Sequence, residues 1–313
     1  EKPELPQWVL YPPHETGLVY GVGSSGIYQG NQAKAIQGAK ENARLELLKQ
    51  LHTTVSGEIR IETKRIVDGG NTQFSRNLRE SVYSRAPMTE LSGIEVIEAH
   101  LSQTQKTAYA LVRLDRNQAK AALHRQIGEI DAEFARYSSV PTNIPRPAQL
   151  KQLLPALSLM AKRNKLEERL LLVSPQSTVA TSSREQIINQ RIEKLVGNLK
   201  IGLLPSGKDA KALEPGLFRH LTEKGLSISP IAEADLTLTV QFQTRAKLSH
   251  GQHFVFADGD VVVKNAAGNT VNAVDARAKG VSGISEAQAR AKAIQQLGNR
   301  LGEALQESLL KRM

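Results

Sequence analysis

"YGVGSSG", residues 20–26, decides how the first part of this chain is read. Its spacing, G-x-G-x-x-G, is the one that dinucleotide-binding enzymes place between a first strand and a first helix, and it carries that meaning only inside a parallel βαβ unit. The other reading of Gly21, Gly23 and Gly26 is a tight turn that admits positive φ. Upstream, residues 18–22 make a short strand. Downstream, Asn31 is a good N-cap, and Ile36, Ala39, Ala43, Leu47 and Leu51 fall three or four apart, which predicts a helix to about residue 52. With Ala33 and Ala35 this helix is slim enough to lie close on a sheet.

The segments beyond the helix separate the two readings. "TTVSGEIRIETKRIVDGGN" places Val55, Ile59 and Ile61 in alternation with polar residues and ends in a turn, so it reads as a long half-exposed strand. "LSGIEVIEAHLSQ" and "KTAYALVRLD" add two more period-two strands. The order β-α-β-β-β is antiparallel in character and rejects the oxidoreductase, so no NAD, FAD or other cofactor is expected at the glycines. Gly21 and Gly23 are expected as structural anchors, together with Trp8, whose ring would pin the proline-rich arm to the domain.

The same residues carry a resemblance. "LPQWVLYPPHETGLVYGVGSSGIYQGNQAKAIQGAKENARLELLKQL" resembles the amino-terminal pattern of the LPP-twenty family of bacterial outer-membrane lipoproteins, through Pro6, Trp8, Pro12, Pro13, Tyr20, Gly21, Gly23, Ala39, Ala43 and Leu47. The likeness covers residues 4–135. It implies a lipid-anchored envelope component without enzymatic chemistry, similar to the amino-terminal domains of flagellar outer-ring proteins. Such an anchor needs a lipobox cysteine, and the chain has no Cys. The resemblance therefore implies an anchor upstream of Glu1 or a secreted variant. The opening "EKPELPQW", without Met, reads as a trimmed product.

Composition narrows the partners. Lys and Arg number 41 against 31 Asp and Glu, a formal charge of +10, which favours anionic lipid head groups or peptidoglycan, or is simply a solvated basic surface. Only 4% of residues are aromatic and they do not interleave with the basic ones, which argues against nucleic acid. No stretch reaches the roughly 20 apolar residues of a membrane span. The absence of Cys removes disulfides, thiolate metal sites and cysteine nucleophiles.

At 313 residues the chain holds two domains at about 150 residues each. Helical patterning resumes at Asn117, "SSVPTNIPRP" interrupts it, Pro155 restarts it, and another helix is expected over 183–196. The second half reads as strand, helix, short strand, then three strands in which Leu236, Leu238, Val240 and Phe242 alternate. A final helix opens with the capping box Ser285-x-x-Gln288. Its element order is similar to TolB amino-terminal and penicillin-binding-protein-activator domains. The segments "GSSGIYQGNQAKAIQ" and "GVSGISEAQARAKAIQ" also echo each other.

The fold class expected is α+β in two domains, each a mainly antiparallel sheet packed by helices and joined by a helical connector, divided at 1–140, 141–197 and 198–313. No catalytic constellation emerges. His250 and His253 lack a third metal ligand close in sequence and read as a hairpin tip. Ser24 and Ser25 have no His–Asp partners, and Glu95, Glu98, Glu167 and Glu168 become acid–base groups only if burial shifts them. Arg60, Lys64 and Arg65, with Arg76, Arg79 and Arg85, are expected on the long strand and its loop, either facing an anionic surface or guarding a strand edge. The function expected is a non-enzymatic periplasmic, outer-membrane-anchored assembly or scaffold component that binds envelope proteins, as of a flagellar machine. The alternative is a regulatory module that activates a cell-wall synthase.

Overall fold

The structure is a computed structural model that describes residues 5–68, 73–85, 91–177, 180–206, 210–223 and 225–312, without the side chains of 53–68, 205, 210, 306, 307 and 309–312. The chain runs α1 (Gln7–Leu10), β1 (Leu18–Gly26), α2 (Gln32–Asp68), α3 (Gln73–Arg85), β2 (Ile94–Ser102), β3 (Thr107–Asp115), α4 (Arg116–Glu133), α5 (Ala135–Ser138), α6 (Arg146–Leu153) and α7 (Pro155–Val173). It continues through α8 (Ser183–Gly197), β4 (Lys200–Pro205), α9 (Glu214–Glu223), β5 (Ser227–Ile228), β6 (Leu236–Ser249), β7 (Gln252–Asn265), β8 (Thr270–Ser282) and α10 (Glu286–Arg312). The class is α+β, with two sheets packed by helices. Two compact units interleave along the sequence: residues 1–66, 86–133 and 160–182 form the first, and 67–85, 134–159 and 183–313 the second.

In the first unit the sheet order is β1-β3-β2, antiparallel throughout. The glycine-bearing strand therefore pairs antiparallel with β3 along its whole length, a different unit from the parallel βαβ that a dinucleotide fingerprint requires. The glycines do not form a positive-φ turn either, because none of Gly21, Gly23 and Gly26 leaves the negative-φ region. They belong to a period-two strand, and this corrects the turn reading. Gly21, Gly23 and half-buried Ser25 share one face with their buried β3 partners Val112, Ala110 and Ala108, under α2. A Cβ on Gly21 would stand 2.3 Å from the Ala43 carbonyl oxygen, and a Cβ on Gly38 of α2 would stand 2.7 Å from Ser25 Oγ. Backbone thus rests on backbone, and Asn42 Nδ2 adds a 2.8 Å bond to the Ser24 carbonyl.

Helix α2 begins where its cap predicts, with the Lys34 amide donating to Asn31 Oδ1 at 3.0 Å. Ala35, Ala39, Ala43, Leu47 and Leu51 form its buried face. It does not stop near residue 52. Residues 53–68, expected as a strand, continue the helix. Leu47, Leu51, Val55 and Ile59 are an unbroken i, i+4 ladder, and Gly57 costs about 1 kcal/mol against Ala without ending a helix. The order is accordingly β-α-α-β-β.

In the second unit the sheet order is β5-β4-β6-β7-β8, with β5, β4 and β6 parallel and β6, β7 and β8 antiparallel. Leu238, Val240, Val255, Ala257, Val261 and Val263 face the buried stripe Ala289, Ala293, Leu297, Leu301 and Leu305 of α10. Helix α10 opens on the expected cap: the Gln288 amide donates to Ser285 Oγ at 3.2 Å. The echo between the two strand–helix pairs is also one of packing. A Cβ on Gly23 would meet the Ala39 oxygen at 2.5 Å and the Ala43 nitrogen at 2.1 Å, and a Cβ on Gly280 would meet the Ala289 oxygen at 1.9 Å and the Ala293 nitrogen at 2.6 Å. In both, a glycine sits between two alanines one helical turn apart. Pro155 opens α7 after a break at Leu154, as its missing N–H requires. The proline-rich stretch before α6 is held within the unit. Arg191 donates to the Val140 and Pro141 carbonyls at 2.7 and 2.8 Å, and Gln149 to those of Thr142 and Ile144 at 3.0 and 2.8 Å.

Candidate interaction surface

Trp8 sits on the face of the first sheet opposite α2. It packs with buried Tyr20 and Leu111 and half-buried Val9, Leu18, Val22 and Tyr109. Its Nε1 has no hydrogen-bond partner among the described residues. Beside it the Tyr20 phenol donates to Glu15 Oε1 at 2.7 Å, and that bond, with burial and the charge of Glu15, raises the Tyr20 pKa above the ordinary tyrosine value, while Arg113 opposes the shift. Gly21 and Gly23 lie beneath α2. Arg60, Lys64 and Arg65 fall on the helical continuation of α2 rather than on a strand, and their side chains lie outside the described residues. Arg76, Arg79 and Arg85 fall on α3. Of these, Arg79 is committed to structure: it pairs with Glu193 of α8 at 2.6 Å and donates to Asn189, a buried ion pair that faces no outside surface.

The other singled-out groups disperse. Ser25 is a strand residue against α2, and Ser24 is exposed on the other face of β1. Glu95 pairs with Arg113 at 3.0 Å on the exposed edge of the first sheet. Glu167 belongs to an ion cluster around a buried cation in the first unit: Arg163, 1% exposed, donates to the part-exposed carboxylates of Asp131 at 2.7 Å and Glu167, and to the Ala180 carbonyl at 3.0 Å. Such a cluster fixes how helices pack, since each carboxylate there has a cation to satisfy it. His250 occupies the β6–β7 turn, and His253 lies on the helix-facing side of β7, whereas Asp258 and Asp260 point to the other side. The four residues do not converge on an ion.

One extended surface remains, the outer face of the second sheet. Strand alternation places Gln241, Gln243, Arg245 and Lys247 of β6, Phe254, Phe256, Asp258 and Asp260 of β7, and Asp275, Arg277 and Lys279 of β8 on the side away from α10. The charges are graded along the strands. Towards one end Asp260 stands opposite Asp275. At the middle Asp258 accepts from Arg245 at 2.9 Å and Arg277 at 3.1 Å. Towards the β6–β7 turn the charged residues are cations, set among aromatics, with Lys279 Nζ 4.6 Å from the Phe254 ring centre and 5.7 Å from that of Phe256. A shallow concavity of about 450 Å³ lies among Gln241, Gln243, Asp258, Asp260 and Asp275. A second hollow of about 500 Å³ runs between α9 and α10, floored by Gly216, Ala291 and Ile294 and rimmed by Arg219 and Arg290.

None of the residues on this outer face stands out from the sequence as a contact. Alternation in β6 marks its buried side, and the composition of the other side needs the register that joins three strands.

No protein-family model matches the chain, and no curated protein matches it. Among solved structures, the secreted protein HP1454 from the human pathogen Helicobacter pylori is similar over 95% of this chain and 99% of its own, with a TM-score of 0.51 and 14% identity. A minor lipoprotein from Acinetobacter baumannii aligns with 36% of this chain and 92% of its own, at a TM-score of 0.29 and 18% identity. Protein XCC0632 from Xanthomonas campestris aligns with 36% of this chain and 84% of its own, at 0.30 and 13%. The fold of the whole chain is thus shared with the Helicobacter protein.

Proposed function

We propose that the chain is a non-enzymatic, extracytoplasmic protein of the bacterial cell envelope, which works as an assembly or scaffold component and uses the outer face of its second sheet to hold a partner. The observation that carries this reading is the one-sidedness of that sheet: α10 covers one face, and the other presents a broad charged surface. Acid–base catalysis draws on burial to tune a carboxyl group. Here Asp258 is already shared by two arginines, and Asp260 and Asp275 stand exposed. The envelope location draws support from the fold shared with a protein described as secreted, and from the LPP-twenty resemblance of residues 4–135. Anchoring to the outer membrane, by a lipidated residue upstream of Glu1, belongs to the same proposal.

Two measurements test it. In cells of the source bacterium with a permeabilised outer membrane, added protease is expected to reach the chain; recovery of intact chain with the cytoplasm overturns the location. A photo-crosslinker at Gln243 or Asp275 is expected to give one discrete adduct with an envelope protein. If every outer-face position leaves the chain monomeric, the scaffold role fails.

A further inference from the structure

At the end that carries the β6–β7 turn, β6 runs past the layer that still covers its neighbours, where Val255 of β7 and Gly280 of β8 lie buried under α10. Arg245, Ala246, Lys247 and Leu248 are four consecutive exposed residues, so neither face of β6 is covered there. The turn is stiff: His250 and Gly251 have φ of 49° and 72°, the pair of positive values that a two-residue type I′ hairpin needs.

Apolar groups crowd this end on both sides. On the helix side, Leu248 is 65% exposed and stands opposite His253, which stands opposite Ser282; in the loop that follows β8, Ile284 is 78% exposed. On the outer side are Phe254 and Phe256, the latter 39% exposed, with Lys279 over both rings. Arg245, Lys247, Arg277 and Lys279 surround them. The neighbouring carboxylates are Asp258, which holds two of those arginines, and Glu286, which pairs with Arg290 at 3.4 Å.

From this arrangement we infer that the hairpin end is a contact for an anionic phospholipid surface. The cations complement its charge, and long Lys and Arg side chains can keep their heads among phosphates while apolar neighbours sink to the acyl boundary. The two-sidedness selects a bilayer over a protein. A protein docked on one face would leave either Leu248 and Ile284 or the two phenylalanines in water, whereas an interface entered end-on receives both. This deepens the envelope reading by naming one surface the chain would touch. Its test needs only purified chain and vesicles, so its failure leaves location and partner to their own measurements.

The chain has no Cys, so Leu248→Cys accepts a single nitrobenzoxadiazole label. With vesicles of equal parts phosphatidylglycerol and phosphatidylcholine at low salt, the label is expected to brighten several-fold and shift to the blue, and with phosphatidylcholine alone to stay dim. In flotation, the pair Leu248→Asp and Ile284→Asp is expected to lose about ten-fold or more in binding, as when two Leu-sized side chains no longer leave water. Lys247→Glu with Lys279→Glu is expected to lose at least as much, since each cation near an anionic surface contributes about a factor of five. All four positions are exposed, and thermal melts report the fold; should one pair unfold, the other pair and the label decide. Unchanged binding by both pairs, a label that stays dim while the chain floats with vesicles, or no binding at low salt each overturns the assignment.

Discussion

A Cβ placed on Gly23 would stand 2.1 Å from the backbone nitrogen of Ala43, closer than any side-chain rearrangement can relieve. Helix α2 would have to lift off the sheet. Gly23→Ala is therefore expected to cost about 3 kcal/mol or more, at the upper end of overpacking effects. Gly280→Ala should behave alike against α10, where the Ala289 oxygen lies 1.9 Å from the added atom. Gly128, inside α4 with nothing within 4 Å, is the control: Gly128→Ala should stabilise by about 0.5–1 kcal/mol through helix propensity. Chemical denaturation of the three variants checks the set, and a neutral Gly23→Ala would mean that the helix does not rest on this strand.

Trp8 has a different vulnerability. It is 8% exposed and its ring fills the space over Tyr20 and Leu111, yet its indole nitrogen has no partner among the described residues. Trp8→Ala should cost about 3–5 kcal/mol, and Trp8→Phe much less than half of that, because no hydrogen bond is lost with the indole. Equal losses in the two variants would show that the N–H is bonded.

How much of this is legible in the chain is best seen in its glycines and its long helix. Strand β1 is legible as a strand, but its small residues match a phosphate-binding spacing by coincidence. The operative pattern is Gly21-x-Gly23-x-Ser25, period two, and recognising it requires knowing that a helix will lie on that face. The continuation of α2 imitates a strand because Val55, Ile59 and Ile61 satisfy a strand's alternation locally, while the ladder from Leu47 to Ile59 extends it as a helix. The strands and final helix of the second half are legible, since Leu236, Leu238 and Val240 alternate without interruption and Ser285 caps with Gln288. The cationic, aromatic end of the outer face is not, because Arg245, Phe256 and Lys279 meet only through pairing of three strands.

Arg163 should be the most sensitive charged position. Its removal takes a buried, charge-assisted bond from each of the part-exposed carboxylates Asp131 and Glu167, so Arg163→Leu is expected to cost about 2–3 kcal/mol. Adding Asp131→Asn and Glu167→Gln to that variant should restore part of the loss, and strict additivity of the three changes would contradict a shared network.

On the outer sheet face, Asp260 and Asp275 are like charges directly across the β7–β8 ladder. Asp275→Asn should raise stability by about 0.5 kcal/mol at low ionic strength, with the gain shrinking as salt screens the pair. Thermal melts at low and high salt provide the check, and a destabilised variant would show that Asp275 serves another contact.

Alkali should act through Tyr20. Its pKa is raised in the folded chain, chiefly by donation to Glu15, so this bond contributes fully below the unfolded tyrosine value of 10.0 and is lost as pH climbs through the higher folded value. Tyr20→Phe should remove a late component from the alkaline absorbance titration, and an unchanged titration curve would show that the phenol is not held.

The interleaving of the two units sets an order of events for a chain that emerges from one end, from a ribosome or a translocation pore. All three strands of the first sheet are out once Asp115 has passed, and Asp131 soon after. Arg163, which neutralises Asp131, comes from the unit's last segment, 160–182, and the second unit waits for α10 at the far end of the chain. A nascent chain stalled between α4 and α7 would thus carry a completed sheet and an unanswered carboxylate, a half-closed intermediate suited to a holding chaperone.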